Sequence, residues 1–462
     1  MTKKRLITVV LSIALSAFLA FGIIACNRPD NDVGIGIFLN SDDNFRSSVI
    51  NSMKSSLTNK SEKYRDFNAN GSQSTQNESV SDAIINDMKG MLIVLVDPNQ
   101  TASMFEKASQ AQIPIIQFSS EPSELNQLEA YDKGYLVSSV SSEAGLIDAI
   151  FLERLLFGIS EEGLTIDNIT SDWYTQNKDK LVNNVQKYNR SNTLSEEGVP
   201  VLSTLLAEGD SDNFGSTDRT RAAMTSVNTF YDALSKVEDE LISDGELAEQ
   251  DRLYPTVALK EIKESEYRDL EFGGNGFVSK FMKQDQNDTS YKNALSGFLQ
   301  YKKTVAASQQ AAGSWSGTDA QQSMGNYLTA GGGVSAIPDI IVGASDEVSN
   351  GVVSALNVYG YNVHKDASNY DANKVIPIVS TDGSSYGDSL LEGGQIIGTA
   401  LQSPDLMAEY AINMLLNLMN GRDVLDGTNY EFDNSIASWS NAENRVVENK
   451  IIRVPYTEYK PN

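Results

Sequence analysis

Several residue types are scarce in this sequence, and each scarcity excludes a chemistry. Among 462 residues there is one cysteine and one histidine. A lone cysteine, Cys26, cannot form an internal disulfide. With no cysteine beyond it and only His364 to offer an imidazole, zinc has no ligand set apart from carboxylates. Basic residues are also scarce beside acidic ones, 36 Lys and Arg against 62 Asp and Glu, giving a formal charge of −26. A phosphate backbone or anionic lipid surface repels such a chain, so nucleic acid is excluded as a partner and the acidity reads as solubility. Motif searches are similarly empty. Asp210-Ser-Asp212-Asn-Phe214-Gly215 begins like a calcium loop but carries Phe214 at its fifth position and Arg221 at its twelfth. The clusters Gly273-Gly274-Asn275-Gly276 and Gly331 to Gly333 lack the Lys-Ser/Thr ending of a phosphate loop. Neither a metal nor a cofactor is expected.

What is present begins at the N-terminus. Lys3, Lys4 and Arg5 precede an uncharged stretch, Leu6 to Ala25, the layout of an export signal. Its length would also span a bilayer. Its ending, Ile23-Ile24-Ala25-Cys26, resembles the bacterial lipobox, in which cleavage before the cysteine accompanies lipid attachment. Residues 1–25 are therefore expected to be a lipoprotein signal peptide, Cys26 the lipidated residue, and 26–32 a short tether from the membrane.

The remaining chain, with 40% hydrophobic residues, is long enough for more than one lobe. Apolar runs bounded by turn residues recur at Val33 to Leu39, Gly90 to Val96, Ile113 to Phe118, Tyr135 to Ser139, Val199 to Leu206, Ile337 to Gly343 and Val375 to Ser380. These read as buried strands. Helical spacing fills the intervals at Asn44 to Leu57, Ala102 to Ala111, Glu143 to Leu156, Asp346 to Tyr359 and Asp405 to Met419. The alternation predicts parallel sheets with crossover helices, shared between two lobes. Ser160 to Gly198 and Tyr231 to Ala312 fit the rhythm poorly and read as insertions, and the polar stretch Lys60 to Ser81 reads mostly as loop around one short strand.

Gly383-Ser384-Ser385-Tyr386-Gly387 follows an apolar run and matches the G-x-S-x-G of a nucleophile elbow. A lipid-anchored serine hydrolase is thus an alternative, although such an enzyme needs its histidine after the serine and His364 precedes it. Binding is the better-supported class, because polar residues recur where strands end: Asp42-Asp43-Asn44-Phe45, Ser119-Ser120-Glu121, Ser345-Asp346 and Asp382. Ligands of open α/β sheets sit beyond those ends, although an Asp or Ser there also caps the next helix.

At the same residues the chain resembles the periplasmic glucose/galactose-binding proteins, class I solute-binding proteins of ABC sugar transporters. The resemblance runs through VGIGIFLNSDDNF, IPIIQFSSEP, GSWSGTDAQQSM, IPDIIVGASDEVSNGVVSAL, VIPIVSTD, GGQIIGTALQ and DGTNYEFDN with IIRVPYTEY. It implies an α/β fold of two Rossmann-like lobes joined by a three-stranded hinge, residues 33–138 with 403–430 forming one lobe and 139–402 with 431–462 the other. Crossings are expected near Ser138, Gln402 and Tyr430. It implies carboxylates Asp43 and Asp382 at sugar hydroxyls, Phe45 and Trp315 on the two sugar faces, and Arg219 or Arg221 as donor, with Asp218 beside it. Ser119 and Ser345 stand where the family has asparagines, and Gln402 where an asparagine follows the GT turn. The family's histidine and calcium loop are absent. The implied function is a monomeric, membrane-anchored lipoprotein, extracytoplasmic, that captures a monosaccharide and delivers it to an ABC permease. A sugar sensor presenting its closed form to a chemoreceptor or sensor kinase is the alternative within the same resemblance.

Overall fold

A computed structural model describes residues 33–41, 44–159, 164, 166–209, 214–261, 294–306, 315–433 and 447–459. Cys26 and its signal, Asp43, and residues 262–293 and 307–312 of the second polar stretch therefore lie outside the described residues. No described helix is long and apolar enough to cross a membrane.

The first lobe alternates strand and helix: β1 (Gly34–Leu39), α1 (Asn44–Asn59), β2 (Tyr64–Asn68), α2 (Gln73–Ile85), β3 (Met88–Ile93), α3 (Thr101–Gln110), β4 (Ile115–Phe118) and β5 (Gly134–Ser138). Its six strands lie in the order β13-β5-β4-β3-β1-β2, with β13 (Ile451–Arg453) contributed by the tail and all pairings parallel. Both faces are covered, which is why β1, β3 and β4 are nearly continuous apolar runs. One face buries Ile35, Ile37 and Leu92 against α1 and the later helix α11 (Pro404–Met419), and the other buries Phe38, Met91 and Ile93 against α2 and α3. The stretch expected to be mostly loop holds both β2 and α2. The strand pairs on one side only, so its sequence, YRDFN, has no apolar run. The helix is polar but begins at Ser72, whose side chain accepts from the Thr75 N–H.

The second lobe contains α4 (Ser141–Phe157), α5 (Ser171–Asn177), α6 (Val185–Tyr188), β6 (Leu202–Glu208), α7 (Phe214–Ser243), β7 (Lys260–Glu261), β8 (Ala294–Ser296), β9 (Leu299–Ala306), α8 (Gly317–Ala330), β10 (Ile340–Gly343), α9 (Asp346–Asn357), β11 (Ile378–Asp382), α10 (Ser385–Glu392) and β12 (Gly398–Gln402). The chain then returns through α11 (Pro404–Met419) and β13 (Ile451–Arg453) to the first lobe, and through β14 (Tyr456–Glu458) to the second. The second sheet runs β14-β12-β11-β10-β6-β9-β8-β7, its central pairings parallel and its edges antiparallel.

The stretches expected to be insertions are not peripheral. β9 pairs in parallel with β6 inside the sheet, and α7 is one 30-residue helix that continues past Tyr231. Phe157, Phe230, Tyr231, Tyr254 and Phe298 share one aromatic core with Tyr174 and Tyr188 from the first of these stretches. Buried Glu238 joins them, accepting from the Tyr174 hydroxyl and from the backbone N–H groups of Leu253 and Tyr254. Helices α4 and α7 pack backbone to backbone: a Cβ on Gly145 would lie 2.2 Å from the Arg219 carbonyl oxygen. That close approach places Arg219 against the lobe's inner helix.

Three strands of chain cross between the lobes. Two follow Ser138 and Gln402. The third differs from the expectation. Tyr430 stays on the first lobe, where its hydroxyl accepts from Asn413 and donates to Glu409 and its ring packs on the first core. The tail, expected wholly in the second lobe, divides instead: Ile451–Arg453 pairs with β5, Tyr456–Glu458 pairs with β12, and Val454-Pro455 makes the crossing. Period-two patterning cannot reveal this, because each piece is only three residues long.

Candidate functional site

The ends of β10, β11, β12 and β14 converge on one guanidinium. Arg219 projects from the first turns of α7 and is 9% exposed. Its Nη1 donates to the Ala344 carbonyl (2.8 Å) and to Asp382 Oδ1 (3.3 Å). Its Nη2 donates to the Tyr456 hydroxyl (2.8 Å) and to Gln402 Oε1 (3.4 Å). The cation also lies 5.5 Å from the Trp315 ring centroid and 5.7 Å from that of Tyr456, between two aromatic faces. Burial alone pulls its pKa down, but Tyr456 and Asp382 outweigh that and hold it above the ordinary arginine value. The Tyr456 phenol is pushed up to about 12, chiefly by burial, so it remains a neutral hydroxyl.

Local sequence explains these placements. Trp315 lies directly over the backbone at the end of β6, where a Cβ on Gly209 would come within 2.5 Å of the indole; only glycine leaves the ring that seat. Ser316 then caps α8 by accepting from the Asp319 N–H. Asp382 ends β11 at φ 117°, and Ser119, just beyond β4, has φ 68°. Non-glycine residues in this region carry backbone strain, which concentrates at functional sites.

The structure thus brings together Arg219, Asp382, Gln402 and Trp315 from the expected set. Of the two arginines it is Arg219 that reaches the strand ends. Arg221, two positions along the helix, is buried on another face, and Asp218 is buried beside them. Ser345 is buried as the cap of α9, accepting from the Val348 N–H. Phe45 is half-buried against the first-lobe core, in the first turn of α1. Asp43 lies outside the described residues.

Sequence reasoning missed Tyr456, although the stretch RVPY containing it had been singled out. It also missed Asp148, which with Asp346, already named at a strand end, forms a carboxylate layer behind the site. Asp346 accepts from the Ser384 N–H (2.7 Å), the Ser384 hydroxyl (2.9 Å) and the Thr399 hydroxyl (2.8 Å), tying α9 to α10 and β12. Asp148 on α4 is fully buried and accepts from the Thr381 hydroxyl at 3.1 Å. Burial raises both pKa values; for Asp148 the neighbouring Asp346 adds to the rise while Thr381, Arg219 and the Ala400 backbone oppose it.

This raised pKa has a definite sign. Below the ordinary aspartate value of 3.8, folded and unfolded chains both hold the proton. As pH climbs past it the unfolded chain ionises first, so stability falls with rising pH until the folded carboxyl also ionises. Asp148→Asn is expected to flatten that fall. Denaturant midpoints at pH 4 and pH 8 should differ less in the variant than in the natural protein, with Asp346 preserving part of the slope. An unchanged difference would show that Asp148 ionises alike in both states.

The G-x-S-x-G match has a structural explanation. Ser384 caps α10 and Ser385 is its exposed first residue. His364 accepts from the Asp366 N–H and lies against Gly393, just past the other end of α10. Eight helical residues, about 12 Å, separate the two. No serine–histidine pair forms there.

Comparison with known proteins agrees with this geometry. The family model described as a periplasmic binding protein domain matches residues 35–152 and 271–423. A curated relative, the D-galactose/methyl-galactoside binding periplasmic protein MglB of Haemophilus influenzae, is 29% identical over 148 residues, 32% of this chain and 44% of that protein. The chain therefore matches less than half the length of that relative. Among solved structures, an ABC transporter periplasmic solute binding protein from Actinobacillus succinogenes with bound D-allose has a TM-score of 0.54 at 13% identity, covering 93% of this chain and 97% of that one. A galactofuranose binding protein has a TM-score of 0.53 at 11% identity, covering 93% and 95%. An ABC transporter solute binding protein from Bacillus halodurans with bound myo-inositol has a TM-score of 0.51 at 12% identity, covering 94% and 96%. At these identities the structures report the fold.

Proposed function

Because the chain belongs to the periplasmic binding protein domain family, we propose that it captures a sugar of the glucose/galactose class between its lobes and delivers it to an ABC importer. The observation that carries the reading is the convergence of Arg219, Asp382, Gln402, Tyr456 and Trp315 at the strand ends beside the crossings. A sugar presents hydroxyls around its edge and C–H groups on its faces. Fixed carboxylate, amide and guanidinium groups serve the edge, and an indole serves a face. The named relatives are binding proteins for galactose, D-allose, galactofuranose and myo-inositol, which favours a neutral polyhydroxylated solute. Ligand contacts made to both lobes stabilise the closed form, which the importer would recognise.

We further propose that Cys26 carries the lipid that holds this extracytoplasmic protein at the membrane, with the permease as its protein partner and Asp43, Phe45 and Ser119 completing the site from the first lobe. A thermal-shift panel of hexoses, inositols and nucleosides tests the capture reading. One sugar should raise the melting temperature in a concentration-dependent way. A response confined to nucleosides, or none at all, would reject it. In the same preparation, Cys26→Ser should leave the membrane fraction or persist as uncleaved precursor.

A further inference from the structure

Away from the guanidinium, the Glu347 carboxylate bridges the two lobes. Glu347, the second residue of α9 in the second lobe, accepts from Asn44 Nδ2 at 3.3 Å, and Asn44 opens α1 in the first lobe. Its other oxygen accepts from the Gly317 N–H at 3.4 Å, at the start of α8. A Cβ on Gly317 would sit 2.8 Å from the Glu347 carbonyl oxygen, so α8 is docked on this residue through backbone as well as side chain. Asn44 immediately precedes Phe45, and Gly317 follows Trp315 by two residues. The carboxylate also faces two helix N-termini, where negative charge is favoured.

We infer that Glu347 is a positioning residue for solute capture: it ties the helix behind Trp315 to the helix bearing Phe45 and draws the lobes together by direct contact. The bond joins protein to protein, so it favours closure whether or not a solute lies between the lobes. A closed form that already has some weight is cheaper for a ligand to select. The bond itself is solvent-exposed, which keeps its contribution small and the cleft able to open.

Because its use in capture rests on the function proposed above, the test omits any solute. The purified protein is stripped of bound small molecules by unfolding, dialysis and refolding, and its radius of gyration is measured by small-angle scattering. Asn44→Asp places two carboxylates face to face and should expand the protein by about 1 Å on a radius of roughly 22 Å. Adding Glu347→Gln supplies an amide donor to the new aspartate and should restore the original radius. Asn44→Ala, which removes the donor without adding charge, should expand it less and guards against a folding defect in the aspartate variant. Thermal unfolding of all three should match the natural protein, since neither side chain is part of a core. Equal radii throughout, or a double variant as expanded as Asn44→Asp alone, would overturn the latch. Neither result bears on the sugar panel, and a negative panel leaves the latch standing.

Discussion

Arg219→Met is expected to weaken sugar capture by about a hundredfold or more and to destabilise the protein at the same time. The guanidinium is the shared donor of the site: four acceptors on four different segments, Ala344, Asp382, Gln402 and Tyr456, are oriented by it. A charge-assisted hydrogen bond to a ligand contributes about 1.5–3 kcal/mol, and loss of order among the remaining groups adds to this. Two powers of ten correspond to about 2.7 kcal/mol. The stability cost arises separately. Removing one partner of a buried ion pair typically costs about 3–5 kcal/mol, because the remaining charge stays desolvated, and Asp382 is 13% exposed at the side chain. Arg219→Lys separates the two effects. It preserves charge opposite Asp382 but cannot reach Ala344, Gln402 and Tyr456 with one planar fork. Denaturant unfolding should show partial recovery in the lysine variant, while calorimetric titration with the sugar from the panel should not. Affinity within threefold of the natural protein in either variant would remove Arg219 from the site.

Trp315→Ala should cost at least an order of magnitude in affinity, since an aromatic stacked on a buried ligand face behaves as a hot spot worth about 2 kcal/mol or more. A cost in stability of the ligand-free protein accompanies it. Trp315 is half-buried, packs on the core that includes Met324 and Val348, covers Gly209 and lies against the Arg219 cation. Its truncation should therefore also lower unfolding free energy by roughly 2 kcal/mol, less than the about 3–5 kcal/mol for losing a fully buried Trp because the ring is only half-buried. Trp173→Ala is the control. That ring packs at the margin of the other second-lobe core, on α5, and its loss should lower stability while sparing affinity. Equal loss of affinity in both variants would mean that a general loosening of the lobe, and not contact with the sugar, is being measured.

Most of the fold was legible in the sequence because buried parallel strands announce themselves as apolar runs, as at GMLIVLV and IPDIIVG. What escaped were elements stabilised by position. β2 is an edge strand, β13 and β14 have three residues each, and β9 lies within a stretch whose polar flanks resemble an insertion. The site divided in the same way. Asp382 could be named because it ends a recognisable run, Gln402 and Trp315 because the family resemblance implied them. The choice between Arg219 and Arg221 could not be made, because it depends on which face of α7 meets α4, and that is decided by the backbone contact at Gly145. Tyr456 and Asp148 had no local signal: one is a tyrosine after a proline, the other an aspartate inside GLIDAIFL, and each matters only through a partner distant in sequence, Arg219 on α7 for the first and Thr381 on β11 for the second.

The divided tail also constrains how the protein is made. Both sheets take a strand from residues 451–458, β13 in one and β14 in the other. β13 pairs with β5, more than three hundred positions earlier in the chain, so this pairing has a large loop-closure cost and a high contact order. A nascent chain synthesised only to residue 450 lacks a strand in each sheet, lacks the third crossing between the lobes, and offers Arg219 no Tyr456. Neither sheet can be completed before residues 451–458 are available, so the last pairings of the two lobes form together and late in folding.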